Sequence, residues 1–230
     1  MLIKEGADRS LAVDMKLAAV LSLVAGSVNS AGFHALGFFS ANMTGNASML
    51  SDLLAVGHFW TALGFFGILV AFIAGSFTAA SLIGIGRRRA SRAIYAYVIS
   101  MEAVALCLLG LLALVTGMKI AGPFLVPGLS FLMGLQNAAT TRISNARVRT
   151  THISGIATDI GIELAAIADR SQGDRHSVRA ILRLHGLTIA AFIAGGLAGV
   201  LLYEALGGGL LVLSGLVLLF AGLREARKAR

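Results

Sequence analysis

Residues 40–53 read SANMTGNASMLSDL, and this stretch decides how the chain is expected to fold. It follows a long apolar run, yet after Ser40 it carries six further polar side chains: Asn42, Thr44, Asn46, Ser48, Ser51 and Asp52. The helical piece that begins here, residues 44–56, covers only about 20 Å at about 1.5 Å per residue. The hydrocarbon core of a bilayer is about 30 Å thick. This piece is therefore too short to cross a membrane alone.

The composition around this stretch is that of an integral membrane protein. The chain has 230 residues, of which 57% are hydrophobic and 13% charged, and its mean hydropathy is +0.85. These values exclude an ordinary soluble domain. The apolar runs are long enough for helices, and no series of short alternating segments indicates a β-barrel. The single cysteine, Cys107, predicts neither an intramolecular disulfide nor a thiolate metal site.

Six apolar runs are predicted to cross the membrane, and two shorter, more polar pieces are left over. The runs are residues 17–39, 59–85, 93–116, 123–140, 181–203 and 206–223, and the short pieces are residues 44–56 and 152–168. If both short pieces crossed, 7 of the 19 basic residues would lie outside. If both enter the membrane and return on the same side, 18 lie on the cytoplasmic side, together with both termini, and only Lys119 lies outside. The positive-inside rule favours the second topology, so the net charge of +8 indicates orientation rather than nucleic-acid binding.

Three sequence matches in the same order predict an internal repeat. AFIAG occurs at residues 71–75 and 191–195, MTGNAS at 43–48 corresponds to ISGIAT at 153–158, and GSVN at 26–29 corresponds to GLQN at 134–137. The repeat units are residues 17–117 and 118–223, between a cytoplasmic segment, residues 1–16, and a basic tail, residues 224–230. Each unit crosses three times, so the second is inverted. The sequence therefore predicts an all-α integral membrane protein of six transmembrane helices and two short re-entrant helices that meet at the centre of an inverted repeat.

The motifs MTGN at residues 43–46, GLQNA at 134–138 and TTHISG at 150–155 resemble those of the YoaK-like family of bacterial inner-membrane proteins, a domain family of unknown function. The resemblance extends over roughly residues 16–223. The chain departs from the family pattern at Asn29, where an acidic residue is common, and at His152, where an aromatic one is common. The resemblance implies a multispanning protein of the bacterial inner membrane and an expectation of transport, without naming a substrate.

Polar side chains expected near the middle of the membrane form the predicted solute site. Thr44, Ser48 and Asp52 are four residues apart and share one helix face, and Ser154 and Thr158 repeat the first two positions. The alternative for the short helices is that Thr44 and Ser154 cap them while the other polar groups satisfy freed backbone. The alternative for the polar groups of the long spans is that they bond between helices. The predicted substrate-binding residues are Asn29, His34, Thr44, Asn46, Ser48, Asp52, Gln136, Asn137, His152, Ser154, Thr158 and Asp159.

Three carboxyl groups are predicted to couple transport to protons, because ionisable groups at membrane depth are costly and usually functional. Asp159 and Glu163 lie four residues apart, and Glu102 is the only charge between Arg92 and Lys119. The alternative is that the first two are interfacial charges near Arg170 and that Glu102 pairs with a buried histidine or arginine. The histidines show no metal spacing, so no metal and no cofactor is expected.

The direction of the two re-entrant helices sets the expected charge of the solute. If their N-termini face the centre, an anion or a carbonyl-bearing solute is favoured; if their C-termini do, a cation is favoured. The sequence leaves both arrangements open, with a preference for the anion.

The leading interpretation is a secondary transporter for a small polar solute, with membrane lipids as its surroundings, and no enzymatic activity is expected. A passive channel is the alternative within transport. Two other classes are an intramembrane enzyme that uses Asp159, Glu163 and His152 on a lipid-linked substrate, and a non-catalytic scaffold. The absence of a nucleophile elbow and of an H-E-x-x-H motif argues against the enzyme. Small residues recur every four positions and predict close helix packing, within the bundle or in a homodimer: Gly67, Ala71, Gly75 and Ala79, and Ala191, Gly195 and Gly199.

Overall fold

The computed structural model of the chain describes residues 1–169 and 175–229. Within these residues every regular element is helical, which confirms the prediction of an all-α fold for the described chain. A short 3-10 turn at Gly6–Asp8 precedes eight α-helices: α1 (Leu11–Leu36), α2 (Met43–Ala55), α3 (Phe59–Arg88), α4 (Ile94–Thr116), α5 (Met118–Ile143), α6 (Ile153–Ala168), α7 (Arg175–Leu206) and α8 (Gly209–Lys228).

Five of the described helices are long and apolar enough to cross a membrane: α1, α3, α4, α7 and α8. Large apolar side chains on their surfaces are exposed, among them Trp60 at 87% and Phe77 at 72%. Such exposure is unusual for a soluble monomer and is typical of a surface that faces lipid. The chain is a multi-pass helical membrane protein.

The sixth predicted span corresponds to α5, which starts earlier than the sequence predicts. The predicted start at residue 123 is wrong, because α5 begins at Met118 and contains both Pro123 and Pro127. Each proline removes one backbone hydrogen bond from the helix. Membrane helices tolerate this loss where neighbouring helices compensate for it. A crossing by α5 remains a prediction, since α5 is not among the five helices above.

The most extensive helix contacts join one helix from each half of the chain: α1 packs on α7, α3 on α5, and α4 on α8. Glycines make all three contacts close, as the contact of α1 with α7 illustrates. A Cβ atom on Gly26 would lie 2.0 Å from the carbonyl oxygen of Phe192, and one on Gly195 would lie 2.0 Å from that of Leu23. The backbones of α1 and α7 therefore touch without side chains between them.

The contact between α3 and α5 repeats this arrangement. A Cβ atom on Gly134 would lie 2.1 Å from the carbonyl oxygen of Phe72, and one on Gly75 would lie 1.9 Å from that of Phe131. Gly75 and Gly195 thus pack within the chain, whereas a Cβ atom on Gly67 would have no neighbour within 4 Å. A homodimer through the glycine-rich faces stays a prediction.

The N-terminal segment and several helix ends lie together at one end of the bundle. Glu5 accepts a hydrogen bond from the Tyr95 hydroxyl at 2.7 Å and lies 3.4 Å from Arg87, so it joins the start of α4 and the end of α3. Glu225, near the end of α8, accepts from the backbone N–H of Leu2 at 3.0 Å and contacts the Met1 amine. We call this region the basic end, because Arg87, Arg88, Arg89 and Arg92 lie here too.

The start of α1, the end of α5 and the start of α7 meet at the same end. Asp14 is wholly buried, pairs with Arg9 at 2.6 Å and lies 3.0 Å from Nη2 of Arg147, which follows α5. A cavity of about 390 Å³ is lined by Leu11 of α1, by Arg147 and by Ile181 of α7. Two further residues predicted to be cytoplasmic, Arg170 and Arg230, lie outside the described residues.

Candidate functional site

The two short helices begin at one shared cavity of about 600 Å³. The start of α2 contributes Asn42, Met43, Thr44, Gly45 and Ser48, and the start of α6 contributes Thr151, His152, Ile153 and Ser154. The remaining lining residues are Asn29, Phe39, Ala41, Phe72 and Phe192. Of the two arrangements that the sequence leaves open, the described structure has the one in which the N-termini of both short helices face the same space.

The N-terminus of α2 is held in place by two asparagines. Asn42 is its N-cap, and its Oδ1 accepts the backbone N–H of Gly45 at 3.0 Å. Asn46, which is buried, donates from Nδ2 to the carbonyl oxygen of Phe39 at 2.8 Å. Thr44 lies inside the first turn and is exposed to the cavity, so it does not cap the helix. This leaves Thr44 and Ser48 on the cavity wall.

The N-terminus of α6 has no side-chain cap. Its N-cap residue, His152, makes no capping hydrogen bond, and its carbonyl accepts the N–H of Ile156 at 3.1 Å. Among the described residues, the backbone N–H groups of Ile153, Ser154 and Gly155 have no acceptor in the protein. Unsatisfied N–H groups at a helix start, together with the helix dipole, provide a ready site for an anion.

The electrostatics of the cavity match this preference. No aspartate or glutamate is among its lining residues, whereas His152 is. Arg149 lies close by: its Nη1 would be 3.6 Å from a Cβ atom on Gly155 in the first turn of α6. The side chain of Arg149 also donates to Oδ2 of Asp159 at 2.9 Å, which fixes it along α6.

The comparisons with known proteins identify a family that covers both short helices. Residues 17–223 match a family described as "Protein of unknown function (DUF1275)". The chain belongs to this family. No curated protein and no solved structure matches it, so no named relative confirms the resemblance to the YoaK-like family.

In this DUF1275 member, five of the predicted substrate-binding residues line the cavity: Asn29, Thr44, Ser48, His152 and Ser154. Asn29 lies in the interior of α1, and its Oδ1 accepts the backbone N–H of Ala41 at 2.8 Å. This bond draws the segment between α1 and α2 into the protein. Asn29 therefore both lines the cavity and positions the start of α2.

The other predicted substrate-binding residues do not line this cavity. Asp52 is exposed near the C-terminal end of α2, and Nε2 of His34 lies 3.6 Å from Glu204. Thr158 donates to the carbonyl oxygen of Ser154 in its own helix, and Asp159 pairs with Arg149. Asn46 holds the backbone as described above, Gln136 bonds to neighbouring side chains, and Oδ1 of the partly buried Asn137 has no partner among the described residues.

The predicted proton-coupling carboxyl groups have separate partners. Asp159 pairs with Arg149, and Glu163 Oε1 lies 2.8 Å from Nδ1 of His185 in α7. The contact between Glu163 and His185 is short enough for an ion pair, but its angles do not fit a hydrogen bond. Glu102 has neither histidine nor arginine as its partner, because its Oε1 accepts from Nε2 of Gln136 at 2.9 Å.

Asn42 and two phenylalanines line the cavity but are not among the predicted substrate-binding residues. Asn42 carries a recognisable signal, since asparagine is among the best N-cap residues. Phe72 and Phe192 are the phenylalanines of the two AFIAG copies, whose glycines, Gly75 and Gly195, make the close helix contacts. The repeat places these phenylalanines at equivalent positions, but in the sequence their apolar side chains cannot be told from lipid-facing residues.

Proposed function

We propose that this protein is a secondary transporter that carries a small polar solute, preferably an anion, through the cavity between α2 and α6. One observation carries the proposal: the N-termini of both short helices line a single cavity whose wall has no carboxylate. Each helix N-terminus favours an anion by about 0.3–1 kcal/mol, and by up to about 2 kcal/mol when partly buried. A volume of about 600 Å³ suits a hydrated inorganic anion or a small organic one.

The positions of the helix ends support six crossings with two re-entrant helices. α1 begins at the basic end and α3 finishes there. The C-terminus of α1 and the N-terminus of α3 therefore lie at the opposite end of the bundle, and α2 connects them on that side. α5 finishes at the basic end and α7 begins there, so α6 leaves and returns on that side. Neither short helix then crosses, and α5 is the sixth span.

The glycine contacts support an inverted repeat. Gly26 and Gly134 occupy matching positions of the two units, and they meet Phe192 and Phe72, which also match. The same holds for the contact of Gly195 with Leu23 and that of Gly75 with Phe131. Equivalent residues thus make equivalent contacts across the two halves. Such repeats place the solute site near the bilayer midplane, between the halves.

The basic end is proposed to face the cytoplasm of a bacterium, with the chain in the inner membrane. Arginines and lysines concentrate on the cytoplasmic side of membrane proteins. The N-terminal segment and the end of α8 both lie at the basic end. Both termini would then be cytoplasmic.

The proposal is tested by anion efflux from proteoliposomes that contain the purified protein. Nitrate, chloride and methanesulfonate are suitable probes, because none crosses a bilayer readily as a neutral acid. Valinomycin and potassium carry the compensating charge, and sodium efflux with a protonophore is measured in parallel. We expect efflux of at least one anion above the rate of empty liposomes, and no sodium efflux. Sodium efflux without anion efflux would contradict the proposal.

A tryptophan at the cavity wall is expected to block this efflux. Ser48 lines the cavity, whereas Ser51 in the same helix does not, and both are exposed and donate to the carbonyl oxygen four residues earlier. Ser51→Trp is therefore a matched control. We expect Ser48→Trp to lower anion efflux about tenfold or more, which needs an added barrier of only about 1.4 kcal/mol. Equal efflux from the two variants would place the pathway elsewhere.

A further inference from the structure

A buried carboxyl group outside the cavity is joined to its wall by side chains. Glu102, Gln136 and Thr150 are each 0% exposed. Gln136 donates from Nε2 to Glu102 Oε1 at 2.9 Å, and its own Oε1 accepts the Thr150 hydroxyl at 3.0 Å. Thr150 directly precedes Thr151, His152 and Ile153, which line the cavity. The chain of hydrogen bonds thus runs from the middle of α4, through α5, to the segment that leads into α6.

The first half of the protein anchors its own segment without an ionisable group. There the backbone N–H of Ala41 donates to Asn29 Oδ1 at 2.8 Å, and Asn29 cannot change its charge. Both segments are therefore held by an amide oxygen in the interior of the preceding helix. Within the described chain, only the second of these amides is bonded to a carboxyl group.

Glu102 stands apart from other charges in the described structure. Its Oε2 has no partner there, and no basic side chain is within ion-pair distance of it. α4 packs against α3, α5 and α8, whose charged groups lie towards the helix ends. The titratable groups on these helices and on α4 itself are Arg87, Arg88, Tyr95, Tyr97, Cys107, Lys119, Arg142, Arg224, Glu225, Arg227 and Lys228. An ionisable residue of this kind inside a membrane helix commonly marks a functional group.

We propose that Glu102 binds a proton that is transported together with the solute, and that Gln136 and Thr150 transmit its protonation state to the start of α6. The proposal rests on the proposed function and adds its coupling ion. A proton from the acidic compartment joins a carboxylate oxygen of Glu102 and forms the neutral acid. The same proton leaves to the opposite compartment after the solute is released, so the carboxylate is restored.

The amide of Gln136 supplies the link between the proton and the cavity. When Glu102 is a carboxylate, it accepts from Nε2, and the amide oxygen remains free to accept from Thr150, as observed. When Glu102 is the acid, its O–H can donate to the amide oxygen after the amide turns over. The amide then presents N–H groups to Thr150, whose hydroxyl must give up its own donation. Proton binding therefore reverses this hydrogen bond, with the Thr150 hydroxyl accepting from the amide instead of donating to it. This changes the contact that holds the segment carrying His152 and Ile153.

Electrostatics indicate that the proton and an anion travel in the same direction. A bound anion and the Glu102 carboxylate repel each other in a medium of low dielectric constant. Protonation of Glu102 removes this repulsion and favours anion binding, and by linkage the anion favours protonation to the same extent. Symport of one proton with one monovalent anion carries no net charge.

The test uses proteoliposomes with equal nitrate concentrations on both sides and an outer solution that is more acidic by about one pH unit. Valinomycin with equal potassium holds the membrane potential at zero. For one proton per anion, this gradient supports accumulation of about tenfold, because a pH unit and a tenfold ratio correspond to the same free energy. We expect the wild-type protein to accumulate nitrate in this way. Chloride and methanesulfonate are used in the same assay.

Variants separate coupling from passage of the anion. Glu102→Gln should abolish accumulation while it keeps the exchange of labelled nitrate at equilibrium, and Thr150→Val should weaken accumulation, with Thr150→Ser restoring it. The control is Glu204→Gln, since the Glu204 side chain is 61% exposed and outside the cavity. Accumulation that survives in Glu102→Gln would overturn the proposal. Exchange without accumulation in the wild type would also overturn it, and would leave a passive channel as the function.

A spectroscopic measurement keeps the proton site testable without transport. Infrared difference spectra between acidic and alkaline pH should show a protonated-carboxyl band in the wild type that is missing in Glu102→Gln. If this band is present but none of the three anions exchanges, the proposed function fails while the proton site stands. If the band is the same in the variant, Glu102 is not the proton site.

Discussion

Gly75→Ala is expected to destabilise the folded protein by about 3 kcal/mol or more, because overfilling a close-packed contact costs up to this amount and occasionally more. The added methyl carbon would lie 1.9 Å from the carbonyl oxygen of Phe131, and only separation of α3 from α5 can relieve the clash. For a chain of this length, such a loss lowers the melting temperature by roughly 6–12 °C. Thermal unfolding of the purified protein in detergent measures it.

Gly67→Ala is the matched control in the same helix. A Cβ atom on Gly67 has no neighbour within 4 Å, and alanine is the better helix former. This variant should therefore be as stable as the wild type or slightly more stable. The second half offers the same comparison in α7, with Gly195→Ala expected to destabilise and Gly186→Ala expected to be neutral. Equal melting temperatures for Gly75→Ala and Gly67→Ala would contradict the close contact of α3 with α5.

Asp14→Asn is expected to cost about 3–5 kcal/mol, the usual effect of removing one partner from a buried ion pair. Asp14 and Arg9 are both buried, with Asp14 Oδ1 at 2.6 Å from Arg9 Nε, and Arg147 contacts the other carboxylate oxygen at 3.0 Å. The amide has nearly the same shape, so the change leaves the Arg9 charge buried without its counter-charge. The melting temperature in detergent is again the measurement.

Asp8→Asn is the control for this substitution. Asp8 is exposed and lies in the same N-terminal segment, so the loss of its charge should change stability little. If Asp14→Asn had the same melting temperature as Asp8→Asn, Asp14 would not be the residue that holds the N-terminal segment against the start of α1 and the end of α5.

Hydropathy predicted the five long apolar helices of the described chain in their correct order, because apolar length is set by the membrane itself. It could not place the helix ends, since helices extend beyond the hydrocarbon core wherever protein contacts support them. α1 begins at Leu11 rather than at residue 17 because Asp14 and Arg9 satisfy each other inside the fold. Likewise, α7 begins at Arg175 rather than at residue 181, at the basic end.

The candidate site was partly predictable for a similar reason. Polar residues in an apolar sequence indicate a solute site, and three of them, Thr44, Ser48 and Ser154, do line the cavity. Sequence alone could not decide which ends of the short helices meet, because this depends on the hydrogen bonds of Ala41 and Thr150 to residues in other helices. It also could not separate Asp159 from Glu163, whose partners, Arg149 and His185, lie on different elements.

The central claim is that the starts of α2 and α6 together form one anion site. Its most direct test is the rate at which an anionic methanethiosulfonate reagent modifies single cysteines, placed by Ser48→Cys, Ser154→Cys or Ser51→Cys in a Cys107→Ala background. We expect nitrate, compared with gluconate at equal ionic strength, to slow modification at positions 48 and 154 and to leave the rate at position 51 unchanged. Rates at 48 and 154 that nitrate does not alter, or that only a change of cation alters, would contradict it.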